Sequence, residues 1–295
     1  MAWRRYRLRW RRRRLVLRGL RALRDLGPVR PLTGPLGAHD IPVFAVVRNE
    51  YPRLAHFLDH HRALGAGPFL IVDNASTDET SEFLLRQPDV FLWRTEESYR
   101  ASRFGMDWIS GLMFRHAHGR WALVLDADEL LIYPDHERRG LQDLVAWLDG
   151  QGARAFGTLM VDLYPKGPIL DQDFAPGDNP LRLLEWFDAD PGTPFPRPEL
   201  QLVVRRGGVR ARALLGGDRQ MAPVLNKTPL VRWSRRHAWL SSTHALLPPR
   251  LNRVRGADAG DRPTGALLHT KFLPDVGDRS REELARRQHF VDADA

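Results

Sequence analysis

Trp121-Ala122-Leu123-Val124-Leu125-Asp126-Ala127-Asp128-Glu129-Leu130 is the stretch on which the reading of this chain turns. Its opening residues, apolar on both sides of the pleat, predict a central strand buried on both faces. Three carboxylates follow at once. Asp126 and Asp128, one residue apart at a strand end, can converge on one hard cation. Mg²⁺ and Mn²⁺ take such oxygen ligands and share them with substrate phosphates. The plainer account is an acidic turn after a buried strand, and an Asp-x-Asp alone does not decide between the two.

Upstream, the pattern supplies a frame for that strand. Residues 41–47 are β-branched-rich and read as a buried strand, with Pro42 tolerated near its start. Leu54, Phe57, Leu58, His61 and Leu64 fall at helical spacing, and Gly65 and Gly67 end the run. Residues 69–72 are a second strand. Ser76-Thr77-Asp78-Glu79 reads as a capping box with Ser76 as N-cap, opening a helix to about residue 86. Residues 90–93 are a third strand, and 99–117 read as a longer helix. This β-α-β-α-β-α-β alternation predicts an α/β fold with a mainly parallel sheet covered by helices. Ligands of such sheets bind beyond the carboxyl ends of the strands. Those ends carry Arg48-Asn49-Glu50, Asp73-Asn74-Ala75-Ser76 and Asp126-Ala127-Asp128-Glu129.

Downstream the signal thins. Residues 140–148 look helical and 155–162 look like a strand. Residues 164–198 are Pro-rich loop. Residues 200–204 and 209–215 are expected to pair as a hairpin across Gly207-Gly208.

The net charge of +9 is unevenly placed. Residues 1–30 hold 12 Arg and one acidic residue, Asp25, whereas the remainder has 33 basic against 35 acidic residues. Basicity therefore belongs to an arm. A nucleic-acid-binding body would carry the excess itself, so no nucleic acid is expected as partner. Within residues 1–24, Leu17, Leu20 and Leu23 can share one helical side among Arg and Trp. Such a segment either rests on an anionic membrane surface or is a solvated tail. Residues 27–40, rich in Gly and Pro, read as a linker. The chain contains no Cys, which rules out disulfides and thiolate chemistry. No run of about 18 uncharged apolar residues predicts a membrane span.

Together, Val47-Arg48-Asn49-Glu50, Asp59-His60-His61-Arg62-Ala63-Leu64-Gly65, Val72-Asp73-Asn74-Ala75-Ser76-Thr77-Asp78 and Leu125-Asp126-Ala127-Asp128-Glu129-Leu130 resemble the successive motifs of glycosyltransferase family 2. The likeness is to its bacterial subgroup with Arg-Asn-Glu after the first strand, and it covers about residues 41–135. Shorter matches are Asp162-Leu163-Tyr164-Pro165, Lys227-Thr228-Pro229-Leu230-Val231-Arg232, Ser242-Thr243-His244 and Leu268-His269-Thr270-Lys271.

The resemblance implies a GT-A fold with one Rossmann-like sheet over residues 41–295. The nucleotide-sugar half would span about 41–135 and the acceptor half about 136–295, with residues 1–40 outside. It implies a nucleotide diphosphate sugar donor, often a UDP sugar, and inverting transfer to the hydroxyl of a glycan or lipid-linked acceptor. Arg48, Asn49, Glu50, Asp73 and Asn74 would hold the nucleoside end. The family often has two acidic residues where this chain has Asp73-Asn74, which leaves open which of the two contacts the base. Asp126 and Asp128 would hold Mn²⁺ or Mg²⁺, with His269 a further metal ligand or a structural residue. Lys227, Lys271 and Arg48 would neutralise the diphosphate. Asp162, at a strand end, is the first candidate for the general base, with Glu185 and Asp188 as alternatives. The adjacent His60 and His61 cannot face one metal from neighbouring helix positions and read as structural. A cytoplasmic enzyme near the inner face of the membrane, in cell-surface polysaccharide or glycolipid synthesis, follows from the arm and the resemblance together. Two other readings stand beside it. One is a sugar-phosphate nucleotidyltransferase, which would want a Gly-rich loop where this chain has Arg-Asn-Glu-Tyr-Pro. The other is a non-enzymatic protein acting through its basic arm.

Overall fold

The computed structural model describes residues 2–216, 218, 220–254, 263–277 and 281; the end of the expected acceptor half, residues 282–295, lies outside them. The alternation read from the sequence is present. In chain order the first part comprises α1 (Ala2–Ala22), β1 (Gly27–Arg30), β2 (Val43–Val47), α2 (Tyr51–Ala63), β3 (Phe69–Asp73), α3 (Thr80–Leu85), β4 (Val90–Arg94), α4 (Met106–His116) and β5 (Trp121–Val124). Next come β6 (Glu129–Ile132), α5 (Leu141–Gly150), β7 (Ala155–Tyr164), β8 (Trp186–Phe187), β9 (Thr193–Arg197), β10 (Leu202–Arg206) and α6 (Val209–Leu214). The last are β11 (Asn226–Arg232), β12 (Ala238–Ser241), β13 (Ala245–Leu247) and β14 (Gly265–His269).

The main sheet runs β1-β4-β3-β2-β5-β11-β7-β14-β6, with β8 attached to β7. Strands β4, β3, β2 and β5 are mutually parallel. Strand β11 is antiparallel to both β5 and β7, so β7, and β14 parallel to it, point the same way as β5. One edge of the sheet thus collects the carboxyl ends of six parallel strands and the amino ends of the antiparallel β11 and β6.

Successive strand residues face opposite layers. Val43, Ala45 and Val47 join α2, α3 and α5 in one core, whereas Phe44, Leu70 and Val72 join α4, β12 and β13 in the other. The result is an α/β protein with a mixed, largely parallel sheet between helices, as the alternation predicted.

Four local expectations are corrected. The helix expected at 99–117 starts only at Met106, because Arg103, Phe104 and Gly105 all have φ between 57° and 74°. Gly105 is required there, since a Cβ would lie 2.6 Å from the Val46 side chain. Ser76 does not cap α3. Its hydroxyl donates instead to Asp73, and Asp78 accepts the Thr80 N–H at 3.0 Å. The expected 200–215 hairpin is absent: β10 pairs with β9, and Gly208 leads into α6. Prolines 194 and 196 are tolerated in β9 because it is one strand of a two-stranded ribbon. The expected linker contributes β1, an edge strand antiparallel to β4.

The basic arm is not a free tail. It forms α1, whose carboxyl-terminal half lies on α4 with backbones in contact: a Cβ on Gly111 would sit 2.5 Å from the Gly19 carbonyl oxygen. Arg18 donates twice to the buried Asp107 carboxylate, at 2.9 and 2.7 Å, and Arg103 donates to its other oxygen at 2.8 Å. Among the described residues no helix is long and apolar enough to cross a membrane.

Because no side chain fits between α1 and α4, Gly111→Val is expected to lower the free energy of unfolding by about 1–3 kcal/mol, the usual cost of overpacking. Urea denaturation checks this, and an unchanged midpoint would mean that α1 is not packed as described.

Candidate functional site

Five of the sequence-predicted site residues, Asp126, Asp128, Asp162, Lys227 and His269, meet beside Glu129 at the carboxyl edge. Lys227, at the start of β11, is buried and donates to Asp126 Oδ2 at 2.8 Å and to Glu129 Oε1. Glu129, at the start of β6, is fully buried and accepts the Asp126 N–H through Oε2 at 3.2 Å. Burial pushes the Glu129 carboxyl up to about 7, against the pull of the Lys227 ammonium. Burial works against the charge of Lys227 too, but Asp126 and Glu129 more than reverse it, so its pKa is raised and it stays charged.

Beside this cluster lies a second chain of charges. His269, ending β14, donates from Nδ1 to Asp162 Oδ1 at 2.5 Å and, when protonated, from Nε2 to Asp128 Oδ2 at 3.1 Å. Arg210 of α6 donates to Asp162 Oδ2 at 2.9 Å. Burial disfavours the imidazolium, yet the carboxylates of Asp128 and Asp162 raise its pKa to about 9. Burial likewise opposes ionisation of Asp162, and the hydrogen bonds and charges of His269 and Arg210 win, lowering it to about 2. Thr270 ties the same turn down, its N–H donating to the Asp128 carbonyl at 2.8 Å.

The loops after β2 and β3 form the neighbouring part of the edge. Arg48 donates to the carbonyls of Asn74, at 2.8 Å, and Ala75. Asn49, at φ 49°, accepts the Thr77 N–H at 2.8 Å. The Glu50 N–H donates to Thr80 Oγ1 at 2.9 Å, and its buried carboxylate faces Arg53 at 3.4 Å. Asp73, with no exposed surface, accepts from the Ser76 N–H and hydroxyl, from Ser81 and from Arg94. Asn74 donates its amide to the carbonyls of Thr95 and Glu97 at 3.2 and 3.0 Å.

Several expected roles change with these partners. Asp73 and the Asn74 amide build the loop, and half-buried Arg48 and Asn49 and exposed Thr77 are among its accessible polar side chains, with Asp78 and Glu79 beside them. Asp162 is held on both oxygens and kept ionised, which makes it a poor proton acceptor; it orients His269 instead. Asp188 is gripped by Arg212 through two hydrogen bonds of 2.9 Å and by the Tyr164 hydroxyl, and its pKa is lowered, first by Arg212. Glu185 is exposed just before β8. Lys271, partly exposed, lies beyond His269 and, among the described residues, donates to none of these carboxylates. Asp126, Asp128 and His269 do not converge as a triad: Lys227 draws Asp126 one way while Asp128 and His269 face each other. Among the described residues no group of three His, Cys, Asp or Glu is arranged to hold a metal ion.

The Asp128–His269–Asp162 line nevertheless suits a cation at one point. A histidine that donates one ring N–H to a carboxylate and aims the other nitrogen at an acidic oxygen is the arrangement in which imidazole ligates metal. The sequence offered no signal for Arg210, which lies in a segment read as a strand. Glu129 was visible in the acidic run, but its burial against Lys227 was not.

No family model matches the chain, and no curated protein matches it. Matching solved structures include apo-UDP-glucose pyrophosphorylase, 8% identical, with 83% of this chain and 99% of that one covered at a TM-score of 0.29. That likeness is too slight to bear on the fold or the function.

Removing the Lys227 ammonium leaves Glu129 buried without its cation. Lys227→Met is therefore expected to destabilise by about 3–5 kcal/mol, and Lys227→Met with Glu129→Leu to recover most of the loss. Urea unfolding of the three proteins checks this. The His269 contacts make a second prediction. Its folded pKa of about 9 exceeds the ordinary 6.5, so its contribution is complete below about 6.5 and fades as pH rises through 9. Asp162, lowered from 3.8 to about 2, contributes fully above about 3.8 and loses this as pH falls through 2. The stability lost in His269→Gln, measured with chelator present, is expected to be constant at pH 5–6, to shrink as pH rises from about 6.5, and to be gone above about 9. A pH-independent difference would contradict the ion pairing.

Proposed function

We propose that the protein is an inverting, metal-dependent glycosyltransferase of the GT-A type, a member of glycosyltransferase family 2 that takes a nucleotide diphosphate sugar as donor. The observation that carries this reading is the gathering of Arg48, Asn49, Asp126, Asp128, Lys227 and His269 at the carboxyl edge of one α/β sheet. A diphosphate needs cations there, and a nucleoside needs loop hydrogen bonds next to them.

In this reading the loops after β2 and β3 take the nucleoside through Arg48, Asn49 and Thr77. Asp128 and His269 hold Mn²⁺ or Mg²⁺, with Asp126 as a further carboxylate in the same turn. Such a cation uses one or two carboxylates and completes its shell with phosphate oxygens. When bound, it stabilises the nucleotide diphosphate as leaving group. Asp162, fixed by Arg210, keeps His269 aimed at Asp128. Lys227 holds Asp126 and Glu129 in place and adds positive charge beside the diphosphate. Glu185 is the carboxylate assigned to remove the proton from the acceptor hydroxyl, because Asp162 and Asp188 are both clamped as anions. The acceptor is a hydroxyl of a glycan or lipid-linked sugar.

Calorimetric titration of UDP with and without Mn²⁺ tests this. Binding is expected to require the metal and to fall at least tenfold in Asp128→Asn, the order of loss seen when a metal ligand or its support is removed. That variant should remain folded without metal, at a lower melting temperature because it loses the ion pair with His269. Metal-independent UDP binding, or equal binding by the variant, would overturn the metal assignment. Failure of UDP, GDP, CDP and dTDP alike would overturn the donor class.

A further inference from the structure

The two sides of α1 differ in kind. Leu15, Gly19 and Ala22 are buried against the body, and Leu8 and Val16 pack with Leu15 against Ala238 and Leu247. On the opposite side, at the 3.6-residue period, stand Trp3, Tyr6, Trp10 and Leu17, which are 68%, 49%, 49% and 51% exposed. The aromatic rings form a ladder: Trp3 and Tyr6 stack at 5.8 Å, Tyr6 and Trp10 meet edge-on at 6.1 Å, and Arg13 lies over Trp10 at 5.4 Å. Arg7, Arg11, Arg14 and Arg18 follow one flank of this ladder and, with Arg103 and Glu199, line a groove of about 920 Å³. A core-facing stripe would be buried, and a merely solvated face would be polar. This face is neither.

We propose that this outer face of α1 is an anionic-membrane docking surface, on which the helix lies parallel to the bilayer. Charge complementarity names the occupant. The 12 Arg of residues 1–30 are accompanied by one acid, and the rest of the chain has slightly more acidic than basic residues, so the excess positive charge that attracts an anionic surface is concentrated in this segment. Trp and Tyr with a polar edge and an apolar body settle at the headgroup level, while the flanking arginines meet lipid phosphates and carboxylates. A nucleic-acid duplex would engage the arginines but leave Leu17 and the indole faces without an apolar medium. The inference stands whether or not the chain transfers a sugar.

The test is flotation of the full chain with phosphatidylcholine vesicles, with and without about 30% phosphatidylserine, over a salt series. Flotation is expected with phosphatidylserine only, and to fall steeply by about 0.5 M salt, where the Debye length is a few ångströms. Arg13→Gln with Arg14→Gln is expected to weaken partitioning roughly 25-fold, about fivefold for each arginine. Trp3→Ala with Trp10→Ala is expected to weaken it at least tenfold at unchanged salt dependence. All four residues are exposed, so neither variant should shift the melting temperature. No flotation of the unaltered chain, equal flotation without phosphatidylserine, or full retention in the tryptophan variant would overturn the proposal. So would a DNA duplex that displaces the protein from vesicles at equal phosphate.

Discussion

Insertion of antiparallel β11 between β5 and β7 is the constraint on which the candidate site depends. A parallel strand there would deliver its carboxyl end, Arg232, to the active edge; the reversed strand delivers Asn226 and Lys227 instead. Lys227 then reaches Asp126 and Glu129 from the side opposite their own turn. A buried ammonium with two carboxylates is expensive to desolvate, and such pairs are often no more stable than apolar replacements. Its value lies in position. Glu129, bonded to Lys227 and to the Asp126 N–H, ties the Asp126–Asp128 turn to β11.

The electrostatic balance at the edge follows from that arrangement. Asp126, Asp128, Glu129 and Asp162 are matched by Lys227, protonated His269 and Arg210. Among the described residues these groups lie within hydrogen-bonding distance of one another, and the Glu129 carboxyl, pushed up to about 7, is partly protonated at neutral pH. The same arrangement that raises the His269 pKa makes its Nε2 a good seat for any cation, a proton included.

The strands and helices of the first half were legible because each is a dense apolar run with a strong boundary, as in residues 41–47 and 69–72. The mouth residues were legible for the same reason: a polar cluster directly after an apolar strand has one place to go. What could not be read was partnership at long range. Lys227 lies 101 residues from Asp126, and Arg210 lies 48 from Asp162. No local pattern encodes such pairings. Ser76 carried a cap signature that Asp73 overrode with a hydrogen bond of 2.6 Å, and Gly207-Gly208 looked like a hairpin turn where the chain starts a helix. The sequence pattern placed Asp162 at a strand end, and only the structure shows it held between His269 and Arg210.

Helix α1 shows the same limit from another side. Its composition announced a basic arm, but Gly19 gave no sign that it was chosen for contact with Gly111, and Arg18 gave none that it answers the buried Asp107. Those contacts change what the arm can do. A disordered basic tail reaching a charged surface loses conformational entropy as it orders. A helix already clamped along one side loses little, and its aromatic residues arrive on a single face. Ordering α1 on the body thus lowers the entropic cost of any encounter made by its outer side. It also fixes the orientation of the whole domain relative to whatever that side touches, which a flexible linker at residues 27–40 could not do. Strand β1 completes the clamp by taking Gly27–Arg30 into the sheet edge beside β4.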